Sequence, residues 1–151
     1  MTASAATAHA APATLEEALG VRAAHPSWLV LAGGTDLMAP GRSPATPPEG
    51  VVDLFGVADL HGVHAAGGLV RIMACTTYAE LLASEPVRRL LPLVEEAARE
   101  VGAVQIRGRG TVGGNVMTCS PVGDLLPPLL ALDARVVLGS VPPARTSHDG
   151  W

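Results

Sequence analysis

Apolar positions recur along this chain at two spacings. Trp28 to Ala32 (WLVLA) and Val51 to Leu54 (VVDL) are short apolar runs, and Leu69 to Met73 (LVRIM) alternates; all three predict strands. Val87, Leu90, Leu91, Val94, Ala97, Ala98 and Val101 recur at helical spacing. Arg88, Arg89, Glu95, Glu96 and Glu100 take the opposite face, which predicts an amphipathic helix. Pro92 removes a backbone donor from it, so the helix is expected to kink or to break in two. Gly102 suits a left-handed stop. Thr14 with Glu17, and Thr77 with Glu80, have capping-box spacing, and the first opens a helix from Leu15 to about His25. A last helix is expected from Asp124 to about Leu132, with Pro127 and Pro128 near its first turn, followed by a strand from Arg135 to Leu138. The Pro/Gly-rich residues 39–50 cannot be regular structure, and 140–151 carry no pattern.

Two diglycines interrupt this alternation, Gly33-Gly34 in WLVLAGGTDLM and Gly113-Gly114 in RGTVGGNVMTCSPVGDLLP. Each is expected to form a turn and carries small polar neighbours, Thr35 and Asp36 in one, Thr111 and Asn115 in the other. Without a Cβ, backbone N–H groups come within reach of an anion. Such charge-assisted bonds contribute about 1.5–3 kcal/mol each, so converging amides suffice to hold a pyrophosphate. Seen alone, a diglycine after a strand is more often a plain tight turn, and it is the pair in matching contexts that points to an anion site.

Composition narrows the chemistry. All 10 basic residues among the 151 are arginine, which excludes a Walker P-loop and a Schiff-base lysine. The net charge is −4 and the only aromatics are Trp28, Phe55, Tyr78 and Trp151, a poor footprint for nucleic acid. The length suits one domain of ordinary size. No apolar run approaches the roughly 20 residues of a membrane span. The opening MTASAATAHAAPA reads as a loose Ala/Pro tail and not a signal peptide. Cys75 and Cys119 form no CxxC and read as reduced thiols, which points to a cytoplasmic setting. His61 and His64 lack a third ligand at metal spacing, so no metal site is expected.

Gly108, Gly110 and Gly113 spell GxGxxG, with Asp133 twenty residues after the last glycine. A nicotinamide-binding fingerprint, however, joins a buried strand directly to a long helix. Here a helix precedes the glycines, and Ser120-Pro121 interrupts the segment after them.

VLAGGTDLM, VVDL with the following VADL, and above all QIRGRGTVGGN joined to SPVGDLLPPLLALDA resemble one family over about Leu15 to Leu138. It is the FAD-binding subunit, or domain, of the xanthine dehydrogenase and carbon monoxide dehydrogenase group of molybdenum hydroxylases. The resemblance implies an α+β fold of the type shared with vanillyl-alcohol oxidase and p-cresol methylhydroxylase, in which two α/β subdomains clasp FAD. On this chain they would be residues 14–60 and 61–138, the second incomplete, between a tail at 1–13 and a non-family segment at 139–151. It also implies electron transfer between [2Fe–2S] clusters of a partner and an acceptor such as NAD+, beside a molybdopterin subunit. Carried over by position, Val30, Leu31, Ala32, Gly33, Gly34, Thr35, Asp36 and Leu37 would wrap the pyrophosphate, and Thr111, Val112, Gly113, Gly114 and Asn115 would close from the other side. Asp124 would accept from a cofactor hydroxyl, and Val101 would touch the cofactor less specifically. None of these is an acid, base or nucleophile.

Plainer roles stand beside these. Asp124 could cap the last helix, Arg107 and Arg109 could be solvated, and Cys119 could be small packing. Gly108, where relatives often carry asparagine, departs from the family pattern, as do the last dozen residues. Relatives continue well past the position of Leu138. A truncated remnant with no working cofactor site is therefore the competing expectation.

Overall fold

Val52 lies almost wholly out of solvent at the middle of a three-stranded parallel sheet, and the first part of the chain is arranged around it. The structure is a computed structural model that describes residues 7–39, 41, 44 and 46–139. β3 (Gly50–Asp53) is the central strand, flanked by β1 (Ala8–Ala10) and β2 (Leu29–Leu31), with Ala8 opposite Gly50 and Leu29 opposite Val51. Residues 8–10 thus correct the expectation of a loose tail: even small residues complete a ladder when a buried neighbour offers unpaired backbone groups. Residues 1–6 lie outside the described part.

α1 (Leu15–Ala24) links β1 to β2, as parallel pairing requires a crossover. Thr14 caps it by accepting from the Glu17 amide at 3.2 Å, while the Glu17 carboxylate accepts from Ala13 N–H at 2.8 Å, one residue before the position a capping box would use. Ala18 buries the inner face. Past its end the Arg22 guanidinium donates to the carbonyls of His25, Pro26 and Trp28. Trp28 stacks on His25 and lies over Gly50, where a Cβ would overlap the indole.

Leaving β3, Asp53 Oδ1 accepts from Phe55 N–H at 2.9 Å, and a 3₁₀ turn (Ala58–Leu60) leads to a hairpin of β4 (Val63–Ala66) and β5 (Leu69–Ile72). The helices come next. α2 (Tyr78–Ala83) opens with the expected box, Thr77 accepting from Glu80 N–H and Glu80 accepting from Thr77 N–H at 2.6 Å. The long apolar period breaks at Pro92 into α3 (Glu85–Leu90) and α4 (Pro92–Glu100), and Gly102 turns left-handed at φ +41°. α5 (Val104–Arg107), α6 (Val112–Thr118) and α7 (Leu126–Ala131) complete the described helices. Tyr78, Leu81, Val87, Val94, Ala98, Val101, Val112 and Leu125 form one buried cluster, with Val63 and Ile72 of the hairpin packed on it.

The strand expected at Arg135–Leu138 does not form. Val136, Val137 and Leu138 are 65%, 87% and 77% exposed, and none of the described strands lies beside them to pair with. Of the segment 39–50, expected to be irregular, Gly50 instead opens β3 because it pairs with Ala8, and residues 40, 42, 43 and 45 lie outside the described part, as does the patternless segment 140–151.

One side-chain contact between described residues ties the two halves together. His61 Nδ1 meets Glu80 at 3.3 Å, and His61 Nε2 meets the Phe55 carbonyl at 2.8 Å. Burial pushes the Glu80 carboxyl up, but the amide and hydroxyl of Thr77, with His61 alongside, hold it below its ordinary value. A depressed carboxyl adds stability above its unfolded value, about pH 4.3, and that stability is lost as pH falls through the folded value. The gap in urea midpoint between the unaltered chain and Glu80→Gln is therefore expected to be widest above about pH 5 and to close toward about pH 3. A gap of constant size across that range would contradict this account of Glu80.

Candidate functional site

The two diglycine segments meet through their backbones. Gly33 lies so close to the Arg109–Gly110 peptide that a Cβ there would overlap the Arg109 carbonyl oxygen. Segments far apart in sequence are thereby placed side by side, and each is fixed from its own side.

Gly33-Gly34 follows β2 and does form a turn. Gly34 sits at φ +75° over Leu31, and the chain closes with Met38 N–H donating to Gly34 O and Ala39 N–H to Asp36 O. The amides of Gly33, Gly34 and Thr35 find no acceptor among the described residues. Three successive half-buried N–H groups around a left-handed residue suit an anion. Val30 is half-exposed on the sheet.

The second diglycine corrects the expectation of a turn that offers amides. Gly113 and Gly114 form the first turn of α6, and every amide from Val112 to Asn115 is already engaged. Val112 donates to Thr76 O (3.0 Å), Gly113 to Ala74 O (2.7 Å), Gly114 to Thr111 Oγ1 (3.1 Å) and Asn115 to Thr111 O (3.0 Å). Gly113 is needed for close approach, since a Cβ would stand 2.7 Å from Ala74 O. With Tyr78 N–H donating to Gly110 O at 3.2 Å, residues 110–112 lie antiparallel to 76–78. This segment therefore presents side chains to a ligand and not N–H groups.

Two of the expected contacts point elsewhere. Val101 and Val112 are 7% and 8% exposed and belong to the apolar cluster, so their side chains pack the core. Asn115 is different: its Oδ1 is buried with no hydrogen-bond partner among the described residues. Asp124 is exposed and caps nothing, because Leu125 is the N-cap of α7 and makes no side-chain cap bond. The expected capping role is thus overturned.

Arg107 and Arg109 are not idle solvated residues. Arg107 donates to the carbonyls of Arg99, Val101 and Gly102, closing the end of α4. Arg109 lies 3.8 Å over the Phe55 ring, a cation–π contact. Tyr78, a buried tyrosine beside this segment, is a residue that sequence reasoning missed. It is 4% exposed, its ring lies against Gly110, and its phenol neighbours Asn115 and Asp124. Its signal in the sequence was a lone tyrosine beside a helix cap, whose hydroxyl needs a partner once the ring is buried.

Residues 5–147 match the family described as the FAD binding domain in molybdopterin dehydrogenase. The chain belongs to that family. Among relatives of this FAD-binding domain, it is 35% identical over 133 residues to the nicotinate dehydrogenase FAD-subunit of Eubacterium barkeri, covering 87% of this chain and 45% of the relative. It is 34% identical over 109 residues to the carbon monoxide dehydrogenase medium chain of Hydrogenophaga pseudoflava, covering 72% and 38%. Among solved structures, the Cu,Mo-CO dehydrogenase superposes at TM-score 0.73 with 30% identity, over 79% of this chain and 42% of that one. Quinoline 2-oxidoreductase from Pseudomonas putida 86 gives 0.68 at 28%, over 74% and 39%. The α+β architecture expected from the sequence is thereby shown. The chain spans less than half the length of these relatives.

FAD is the family's cofactor, and the residues present fit it. Amides without acceptors suit its pyrophosphate, while an unpaired buried carbonyl oxygen and an exposed carboxylate suit its hydroxyl and N–H donors.

The thiols take no part in this arrangement. Burial, and then the charges of Asp53 and Glu80, push Cys75 up to about 11. Cys119, read from sequence as packing, is instead exposed at the left-handed end of α6. At about pH 8 a thiol reagent is expected to take Cys119 at once and Cys75 only on unfolding; labelling of both in the native chain would contradict the burial of Cys75. Gly33→Ala is expected to cost about 1–3 kcal/mol because backbone must give way. Gly56→Ala, which meets nothing within 4 Å, should stay within about 0.5 kcal/mol. Urea melts of both variants check the difference.

Proposed function

We propose that this chain binds FAD as the flavin component of a molybdenum hydroxylase-type oxidoreductase in the cytoplasm, taking electrons from [2Fe–2S] clusters of one partner subunit toward an acceptor such as NAD+. A molybdopterin-containing subunit would carry the substrate chemistry. The observation that carries this reading is the contact of Gly33 with Arg109–Gly110. It brings the amides of Gly33, Gly34 and Thr35, which find no acceptor among the described residues, to the segment that carries Asn115, whose Oδ1 finds no donor there. Two relatives are named an FAD-subunit and a medium chain, which supports membership of a larger assembly. Among the described residues no helix is long and apolar enough to cross a membrane.

Bound FAD would supply the redox chemistry. The chain's own residues position and select. Gly33, Gly34 and Thr35 would donate to phosphate oxygens, with Asp36 and Leu37 continuing the loop and Val30, Leu31 and Ala32 leading into it. Asn115 and Asp124 would accept from hydroxyl or N–H groups, Asn115 from the first turn of α6, which Thr111 caps, and Asp124 from the turn before α7. No group here transfers a proton. A binding site made of backbone amides responds little to pH, because an N–H has no titration in the physiological range.

A second reading, a chain with the fold but no working cofactor site, is favoured by the exposed Val136, Val137 and Leu138. Among the described residues no element covers this exposed apolar run, and exposed apolar surface calls for a partner. One experiment separates the two. The purified chain mixed with FAD is expected to quench flavin fluorescence and to stay yellow through desalting, while Gly34→Val weakens binding by about ten-fold or more, the scale of one lost charge-assisted bond. A chain shown to be folded by circular dichroism that neither quenches nor retains FAD would overturn the flavin reading.

A further inference from the structure

The amides of Gly33, Gly34 and Thr35 follow the C-terminal end of β2 in a parallel sheet, and that end is where open α/β sheets take their ligands. Backbone amides can hold a phosphate but carry no net charge. Asp36 in the loop and Asp53 at the end of β3 add carboxylates there, which repel an anion. The cation that stands at this end is Arg109. Its peptide lies against Gly33, and its Cζ lies 3.8 Å from the centre of the Phe55 ring. Gly33 and Phe55 each come two residues after the paired Leu31 and Asp53, so one arginine spans the ends of two adjoining strands.

The platform under the guanidinium is fixed. Phe55 N–H donates to Asp53 Oδ1 at 2.9 Å, its carbonyl meets His61 Nε2 at 2.8 Å, and its ring meets the His61 ring edge-on. A cation–π contact engages the charge of a guanidinium and leaves its N–H donors for other partners. Arg107 spends its donors on carbonyls and Arg99 on the Glu95 carboxylate. Those of Arg109, an exposed residue, meet no acceptor among the described residues. A planar fork of N–H groups matches phosphate oxygens, and holding it in advance lowers the side-chain entropy lost on binding.

We propose that Arg109 supplies the positive charge of the anion site: braced on Phe55, it donates to a phosphate oxygen of the pyrophosphate that the amides of Gly33, Gly34 and Thr35 hold. The ligand is taken to be FAD, so the inference rests on the flavin reading.

Arg109→Gln and Phe55→Leu both cut the cation–π contact, but only the first removes the charge. FAD affinity, read by fluorescence quenching, is expected to fall about ten-fold or more in Arg109→Gln, the scale of one lost charge-assisted bond. In Phe55→Leu it should fall only about three-fold, the scale of an exposed cation–π contact. Arg109→Lys, which keeps the charge, should bind FAD more tightly than Arg109→Gln. Arg89→Gln, which removes an equal charge from the exposed side of α3, should bind as the unaltered chain does. Inorganic pyrophosphate gives a readout without flavin. In excess it should raise the urea midpoint of the unaltered chain and of Phe55→Leu, but not of Arg109→Gln.

Equal losses of FAD affinity in Arg109→Gln and Phe55→Leu would overturn the inference and leave Arg109 as a clasp between segments. So would an equal loss in Arg89→Gln, an Arg109→Lys no better than Arg109→Gln, or a pyrophosphate effect that is absent from the unaltered chain or undiminished in Arg109→Gln. Failure of the unaltered chain to bind FAD would instead overturn the flavin reading. The pyrophosphate arm would still decide whether Arg109 serves an anion.

Discussion

The structure depends on a contact that only a residue without a side chain can make. Gly33 lies on the Arg109–Gly110 peptide, and everything else near the site is aligned by that approach. The strand β2 delivers Gly33 from the parallel sheet, and the segment after α5 delivers Arg109. Around the contact, longer side chains act as fasteners: Arg109 reaches over Phe55, Phe55 meets His61 edge-on, and His61 reaches Glu80. The same glutamate caps α2 by accepting from Thr77. A disturbance at the glycine would therefore be felt from the sheet to the helical cluster, because interiors this tightly packed relax only partly.

That arrangement divides the work between the two diglycines. The first has acceptor-free amides and a left-handed residue, so its backbone is offered outward. The second has every amide from Val112 to Asn115 engaged, and its glycines serve close packing on Ala74 and the first turn of α6. Similar dipeptides thus do unlike jobs. What the second segment would offer a ligand is therefore side chains, with the unpartnered Asn115 oxygen first among them.

Local signals account for most of what could be read in the sequence. Thr14, Thr77, Pro92 and Gly102 act through their own backbone or one turn of helix, and each did what its chemistry required. The long motif from Gln105 to Asp124 led to the right family for the same reason, since its glycines have separate steric duties. The errors fell where partners decide. Residues 8–10 became a strand because β3 lay beside them, and Arg135–Leu138 did not, because no described strand does. Val101 and Val112, expected at the cofactor, face the core, since contacts carried over by position do not say which way a side chain points. Tyr78 drew no notice because its surroundings are set by Gly110, far along the chain.

The unpaired groups at the site also link binding to stability. Without a ligand the half-buried amides of Gly33 to Thr35 find no acceptor among the described residues, and the buried Asn115 oxygen finds no donor there. The buried Asn115 oxygen thus costs the fold about 1–3 kcal/mol until a donor reaches it, while the half-buried amides stay open to solvent. A ligand that supplied phosphate oxygens to one side and a hydroxyl or N–H to the other would satisfy both sides at once. Because such a ligand binds the folded state and not the unfolded one, its binding energy adds directly to folding stability. The strength of the Gly33 contact and the occupancy of the site are then coupled. A ligand bridging the two segments reinforces the backbone approach that positioned them.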